Sequence, residues 1–376
     1  MQDMVQDAIK VRYGAGAQER EDALCCPVDY DPKYLKVIPE EVIERDYGCG
    51  DPSQYIRAGE TVLDLGSGTG KICFIASQVV GPQGSVIGID MTDEMLDIAR
   101  RNAPIVADCI GYANVDFRRG HIEDLATDLT EVDSVLATTP LNSAAALVDF
   151  EAVRAKQRAE KPLVNDNSID VIVSNCVLNL VADTDKPALF KEMFRVLKKG
   201  GRIAISDIVS DETSPDHLKK DENLWSGCIS GALQEHEFIA LLEEVGFYGI
   251  TLEKREADPW QVIDGIEYRS VTVLAWKGKE GPCWDKNEAV IYRGPFSSIT
   301  DDDGHTYARG QPIAVCEKTY KILNSEPYAD HFYPVPAQAI VAEEVPFEPS
   351  GDTLRPPHET KSGIAPETRA GDASCC

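Results

Sequence analysis

Thr61-Val-Leu-Asp-Leu65 is a short apolar run that passes straight into Gly66-Ser-Gly68-Thr-Gly70, and a helical pattern starts at once with Lys71. A strand, a turn built on alternate glycines and a helix in so few residues leave few folds open. Such glycines let the backbone turn sharply out of a strand and let a ligand come close. The alternation then repeats along the chain. A helix expected over 71–80 stops at Gly81-Pro82, and a second strand runs from Val86 to Ile89 and ends at Asp90. Thr92 or Asp93 can cap a helix through Arg101, with Met95, Leu96, Ile98 and Ala99 at a 3.6-residue period. Strands are expected at 115–119 and over Ile169-Asp-Val-Ile-Val173. A helix over 186–199 has Pro187 in its first turn and Gly200-Gly201 at its stop, and a fifth strand follows from Arg202 to Val209. An amphipathic helix at 235–245 and closing strands at 250–256 and 268–276 complete the series. Strands separated by helices predict an α/β fold, a doubly wound Rossmann-like sheet whose last pair turns antiparallel.

Around that sheet the chain divides further. Residues 1–60 read as an irregular, partly helical N-terminal lead-in carrying Cys25, Cys26 and Cys49, and the sheet domain spans 61–278. Within it, residues 126–165 are rich in Ala, Asp and Thr without a clean period and read as an insertion, helical in part between Ala144 and Ala159. Runs such as Ala289-Val-Ile-Tyr292 and Pro312-Ile-Ala-Val315 predict a small β-rich C-terminal domain over 279–335. Residues 336–376, proline-rich and aperiodic, are expected to be a disordered tail ending in Cys375-Cys376. A net charge of −27 argues against non-specific binding to nucleic acid or a membrane surface, which carry the same sign. The first twenty residues hold no signal-peptide core and no run approaches 18 apolar residues. The expectation is therefore a cytoplasmic monomer acting on small molecules.

The loop chemistry narrows the ligand. The spacing is G-x-G-x-G, not the G-x-G-x-x-G of dinucleotide folds. Asp64, two residues before Gly66, would repel a pyrophosphate but can help hold the cationic amino-acid moiety of S-adenosylmethionine. Asp90, twenty-four residues after Gly66 at the end of the second strand, can accept both ribose hydroxyls, although it can also merely cap the next helix. After the third strand, Ile122 and Glu123 offer an apolar residue and an acid to flank an adenine. With Ser67, Gly68, Thr69 and Gly70 these residues predict a methyltransferase cofactor site.

Eleven cysteines occur with no Cys-x-x-Cys among them, which argues against an ordinary zinc ribbon. Cys73, Cys109 and Cys316 read as packing thiols. Ligands of open α/β sheets lie beyond the carboxyl ends of the strands. Cys176 stands there, three residues after Val173, while Cys228 follows the fifth strand and Cys49 precedes the first. Three soft thiolates without a Cys-x-x-Cys scaffold suit an ion that prefers sulfur and a three-coordinate shell, which trivalent arsenic does. Its lone pair can attack a sulfonium methyl without a general base, so that catalysis rests on alignment. A methyltransferase for an organic substrate and a thiol-rich metal sensor are the competing readings. The first leaves the three cysteines unexplained, and intact Asp64, Asp90 and glycines weigh against the second.

At Tyr47-Gly-Cys-Gly50, Asp64 to Gly70, Gly88-Ile-Asp-Met-Thr92, Ser174-Asn-Cys176 and Trp225-Ser-Gly-Cys228, the chain resembles the arsenite methyltransferases over roughly residues 20–335. The resemblance implies that Cys49, Cys176 and Cys228 ligate As(III). It also implies a cofactor seated on Asp64, Gly66, Gly68, Asp90, Met91, Ile122, Glu123 and Asn175, with Tyr47 and Gly48 closing over it. Substrates would be arsenite and methylated trivalent arsenicals, delivered as thiol conjugates, with arsenic detoxification as the outcome. The family also carries an upstream cysteine that pairs with the one at Cys49 in a disulfide cycle, a role for which Cys25 and Cys26 compete. Glutathione or thioredoxin would reduce the pair.

Overall fold

The computed structural model of the chain describes residues 9, 11–18, 28, 30–45, 47–339, 341, 344–347 and 354–361. The chain forms two compact units, 1–277 and 278–376.

In the first unit the strands are β1 (Thr61–Leu65), β2 (Ser85–Asp90), β3 (Val115–Arg119), β4 (Ile169–Asn175), β5 (Leu197–Ser210), β6 (Tyr248–Arg255), β7 (Gln261–Ile263) and β8 (Ile266–Trp276). They form one sheet in the order β3-β2-β1-β4-β5-β8-β6, with β7 paired to β8. The first five run parallel, while β8 lies antiparallel to both β5 and β6. The expected doubly wound sheet with an antiparallel closing pair is therefore present. Central strands buried on both faces need unbroken apolar sequence, and Val62, Leu63, Leu65, Val171, Ile172 and Val173 are all fully buried.

Helices α1 (Lys71–Val80), α2 (Asp93–Ile110), α3 (Leu129–Thr138), α4 (Ala144–Glu160), α5 (Lys186–Val196) and α6 (Glu235–Val245) connect the strands. α2 runs nine residues past the expected end and carries Pro104 inside it. Its buried residues continue through Asn102 and Val106, and Asn102 donates to Glu41 (2.8 Å) and the Ile98 carbonyl (2.9 Å), so packing outweighs the local cost of the proline. β5 starts earlier than expected. Leu197 already pairs with Ile169, and the register resumes only at Arg202 with Val171, so Gly200-Gly201 sit in an irregularity of the strand. The aperiodic stretch 126–165 folds into α3 and α4, neither with a buried residue. Capping sets their starts instead: the Asp128 and Ser143 side chains accept the Thr130 and Ala146 N–H groups. Among the described residues no helix is long and apolar enough to cross a membrane.

The second unit contains β9 (Glu288–Tyr292), β10 (Ser298–Thr300), β11 (Thr306–Ala308), β12 (Pro312–Val315) and β13 (Phe332–Val335), with the helix α7 (Glu317–Leu323). β9 lies between β12 and β13, both antiparallel to it, over a core that includes Val290, Tyr292, Tyr307, Ile313 and Phe332. The expectation of a disordered tail does not extend to all of its residues. Leu354 bridges Ile313, Pro346 bridges Trp284, and the Arg355 guanidinium takes both Asp285 carboxylate oxygens at 2.9 Å. A bidentate pair on a buried guanidinium fixes a segment that has little apolar pattern of its own.

Arg202 ties the lead-in to the sheet. Its guanidinium, 5% exposed, meets both oxygens of Glu60 at 2.7 and 2.9 Å and donates to the Tyr55 carbonyl. Breaking such a pair strands a buried carboxylate. Arg202→Met is expected to lower stability by about 3 kcal/mol in urea unfolding; a loss under about 1 kcal/mol would give the pair the weight of a surface contact.

Candidate active site

The chain winds outward from β1 through β2 and β3, then returns to lay β4 on the other side of β1. In such a sheet the crevice opens where the order reverses, beyond the carboxyl ends of β1 and β4. Leu65 and Ser174 are register partners there, and the Ser174 hydroxyl donates to the Leu65 carbonyl at 3.2 Å. The loops that leave these two strands are thus forced together. Gly66, with φ of +71°, lies so close to Val177 that a Cβ would come within 2.5 Å of its side chain.

The cleft at this point is lined by Gly66, Gly68, Asp90, Met91, Ile122 and Glu123 on the cofactor-loop side. Tyr13, Tyr47, Cys176, Val177 and Leu180 line it opposite. Asp90 joins its floor to the glycine loop. One carboxylate oxygen accepts the Gly68 N–H (2.9 Å) and the other the Thr92 N–H (2.8 Å), so the same side chain faces the cleft and steadies the start of α2. Burial pushes its pKa up from the ordinary aspartate value, against these hydrogen bonds. Ser67 and Thr69 are buried, with the Thr69 hydroxyl on the Val42 carbonyl at 3.0 Å, and Gly70 packs against Phe117. Asp64 is 2% exposed and accepts the Cys73 thiol at 3.2 Å, behind the cleft and not on its wall.

The sulfurs gather beside the cleft. Cys49 and Cys176 are joined in a disulfide with their Cα atoms 5.9 Å apart. The Cys228 thiol donates to the Cys176 carbonyl at 3.0 Å and lies 3.8 Å from the Tyr13 hydroxyl. Cys176 and Cys228 both hold left-handed backbones, with φ of +57° and +61°. Residues with a Cβ resist that region, and where they adopt it the surroundings must hold them there. Here side chains that grip backbone do the holding. Asn175 accepts the Cys49 and Gly50 N–H groups (2.9 and 3.2 Å) and donates to the Gly50 carbonyl (2.7 Å). Asn179 donates to the Ile208 and Cys228 carbonyls (2.6 and 3.2 Å). Asp207 accepts from Val177 and Leu178 (3.1 and 2.8 Å). Lys186, 1% exposed, bonds the Gly231 carbonyl and Asp183, which steadies the Cys228 loop from below. A carboxylate oxygen of Asp207 and the two bonded sulfurs all lie within 4.8 Å of one another.

A family model described as a methyltransferase domain matches residues 56–150 and 145–246, and one described as a domain of unknown function matches 279–365. The arsenite methyltransferase of Aquipseudomonas alcaligenes is 34% identical over 349 residues, which cover 87% of this chain and 90% of that one. The chain belongs to the arsenite methyltransferase family. The human arsenite methyltransferase is 30% identical, with 79% and 73% covered. An arsenic(III) S-adenosylmethionine methyltransferase from Chlamydomonas reinhardtii has a crystal structure that superposes with a TM-score of 0.56. It is 27% identical, with 84% of this chain and 98% of that one covered.

Within this arsenite methyltransferase fold several expected positions differ in detail from the sequence reading. Cys49 is bonded to Cys176, where the resemblance implied Cys25 or Cys26; those two, like Cys375 and Cys376, lie outside the described residues. The grip of Asn175 on the Cys49 loop brings the two Cα atoms into disulfide range. Asn175 and Gly48, both expected at the cofactor, pack against each other, with no room for a Cβ on Gly48. Cys109, read as a packing thiol, is exposed near the end of α2. Tyr13, Asn179, Lys186 and Asp207 were not singled out from the sequence. A buried aspartate within the apolar run of the fifth strand is a detectable signal for Asp207 alone.

Burial raises the Asp207 pKa to about 6, with its three backbone N–H donors pulling the other way. Its raised value means that the folded chain binds this proton more tightly than the unfolded one. The stability it contributes is fully present below about pH 4 and is lost as pH rises to about 6. Asp207→Asn should flatten a fall of about 3 kcal/mol across that interval, read as the difference between wild-type and variant denaturant midpoints at each pH. Parallel profiles for the two proteins would remove the assignment.

Proposed function

We propose that the chain methylates trivalent arsenic, held by the thiolates of Cys49, Cys176 and Cys228, with the methyl group of S-adenosylmethionine. The observation that carries this reading is the gathering of those three cysteines beside the cleft that Gly66, Gly68 and Asp90 line. The cofactor's ribose would meet Asp90, its adenine Ile122 and Glu123, and its sulfonium end would face Cys176. Arsenite, arriving as a thiol conjugate, exchanges its ligands for protein sulfurs. The arsenic lone pair then forms the As–C bond while the sulfonium C–S bond breaks toward sulfur, leaving S-adenosylhomocysteine. No proton moves in that step, so no general base is required. Arsenic is now formally pentavalent. When two coordinated thiolates bond to each other, two electrons return to arsenic and a trivalent methylarsenical results. The Cys49–Cys176 disulfide is the product expected if these two supply the electrons, and a thiol reductant such as glutathione or thioredoxin would reopen it.

Cys228→Ser is expected to abolish methylation of both arsenite and a monomethylated trivalent arsenical, because a hydroxyl does not replace a soft thiolate. The assay supplies S-adenosylmethionine and a thiol reductant and separates methylarsenicals by chromatography. Near-normal turnover on either substrate would remove Cys228 from the arsenic shell. Asp90→Ala is expected to weaken S-adenosylmethionine binding by about 2–4 kcal/mol while arsenite binding stays within about twofold. Calorimetry with unchanged cofactor affinity would contradict the ribose role.

A further inference from the structure

Two cysteines of the second unit, Cys283 and Cys316, line a single cleft and are thiols, not a disulfide. Cys316 is buried immediately before α7, and Cys283 is exposed. The Trp284 carbonyl accepts the Glu317 N–H at 2.9 Å, so the two cysteines are the residues just before each end of one backbone bond. Cys316 Sγ is fixed by the Thr319 N–H at 3.4 Å and hydroxyl at 3.3 Å, and the Cys283 carbonyl by the Phe347 N–H at 2.9 Å. Ala314, Val315 and Phe347 give this cleft an apolar side, while Lys318 borders it. One sulfur is thus reachable from solvent and the other held ready behind it.

We propose that Cys283 and Cys316 form a dithiol site for monosubstituted trivalent arsenicals. This goes beyond the methyl transfer proposed above, in which neither thiol takes part. In water such a compound is R–As(OH)₂. Two As–S bonds replace two As–O bonds, each thiol proton leaves with a hydroxide as water, and arsenic stays trivalent, so no oxidant or reductant enters. Two sulfurs, the organic group and a lone pair complete the arsenic shell, and the apolar wall suits the organic group. Arsenite, with three exchangeable oxygens, would be left one sulfur short. Zinc needs four donors. His305 and Asp303 border the same cleft but are engaged elsewhere, His305 with Asp301 at 3.0 Å and Asp303 with Lys279 at 2.9 Å. Among the described residues their ligand atoms group with Asp301 and not with the sulfurs. Burial, then the neighbouring Cys316, holds the Cys283 thiol above its ordinary range, with Lys318 pulling it down. Exchange that releases water begins from protonated thiols and tolerates this.

The test uses the full chain with Cys25, Cys26, Cys49, Cys176, Cys228, Cys375 and Cys376 changed to Ser, which removes the proposed methylation site and leaves Cys73 and Cys109 as lone thiols. Phenylarsine oxide is the probe, followed by excess glutathione and native mass spectrometry. One equivalent should survive the challenge, because a second intramolecular thiol acts at high effective concentration, and Cys283→Ser or Cys316→Ser should cut retention on the order of 100-fold. Proteolysis of the labelled wild-type chain should yield peptides containing Cys283 and Cys316 joined through arsenic, a readout independent of how the seven-Ser variant folds. Absence of a retained equivalent together with absence of the joined peptides would overturn the proposal, as would retention indifferent to Cys283→Ser. Failure here with intact arsenite methylation by the wild type would sink this site alone.

Discussion

The turn that leaves β4 governs this molecule. In five residues, Asn175 to Asn179, it carries a bonded cysteine with a left-handed backbone and two buried amides, each amide gripping the backbone of another cysteine loop. Buried backbone N–H and carbonyl groups must find partners, and three loops with little regular structure have few to offer one another. Asn175, Asn179 and Asp207 supply what a sheet ladder would otherwise provide. The thiol cluster therefore rests on polar side chains whose removal would leave backbone groups unpaired in the interior, a far larger penalty than any one bond is worth.

Charge bears on how the proposed three-sulfur site would form in so acidic a chain. Three thiolates beside a buried carboxylate would repel one another strongly at low dielectric. In the proposed reaction arsenous acid is uncharged, and trivalent arsenic with three sulfurs is uncharged again, so exchanging water for protein thiols would assemble the site without gathering anions. The net charge of −27 is no obstacle to a neutral substrate, whereas it would be to an anionic one.

Much of the first unit was legible because parallel strands buried on both faces require largely apolar runs, and 61–65, 86–89 and 169–173 supplied them, while the edge strand at 115–119 offered only Val115 and Phe117. The glycine loop and Asp90 were legible because close approach and a strand-end acid have few other uses. α3 was not, because with no buried face it owes its existence to caps rather than to a hydrophobic period. The extension of α2 through Pro104 was hidden for the opposite reason, since tertiary packing overruled a local signal. At the site, cysteines announce themselves but their wiring does not. Asn175 reads the same in a sequence whether it meets a cofactor or a neighbouring loop, and Tyr13 reaches Cys228 across a separation of 215 residues that no spacing encodes.

The near-collision of Gly66 with Val177 joins two loops that belong to different ligands in the proposed reaction. Neither can shift far without displacing the other, because there is no slack volume between them to absorb the movement. Occupancy of one loop is thereby information for the other. Whatever factor a seated cofactor applies to the affinity of the thiols for arsenic, bound arsenic must return to the cofactor, since the closed cycle of binding steps allows no other value. A glycine of the cofactor loop thus makes the two ligands of the proposed reaction a thermodynamic pair.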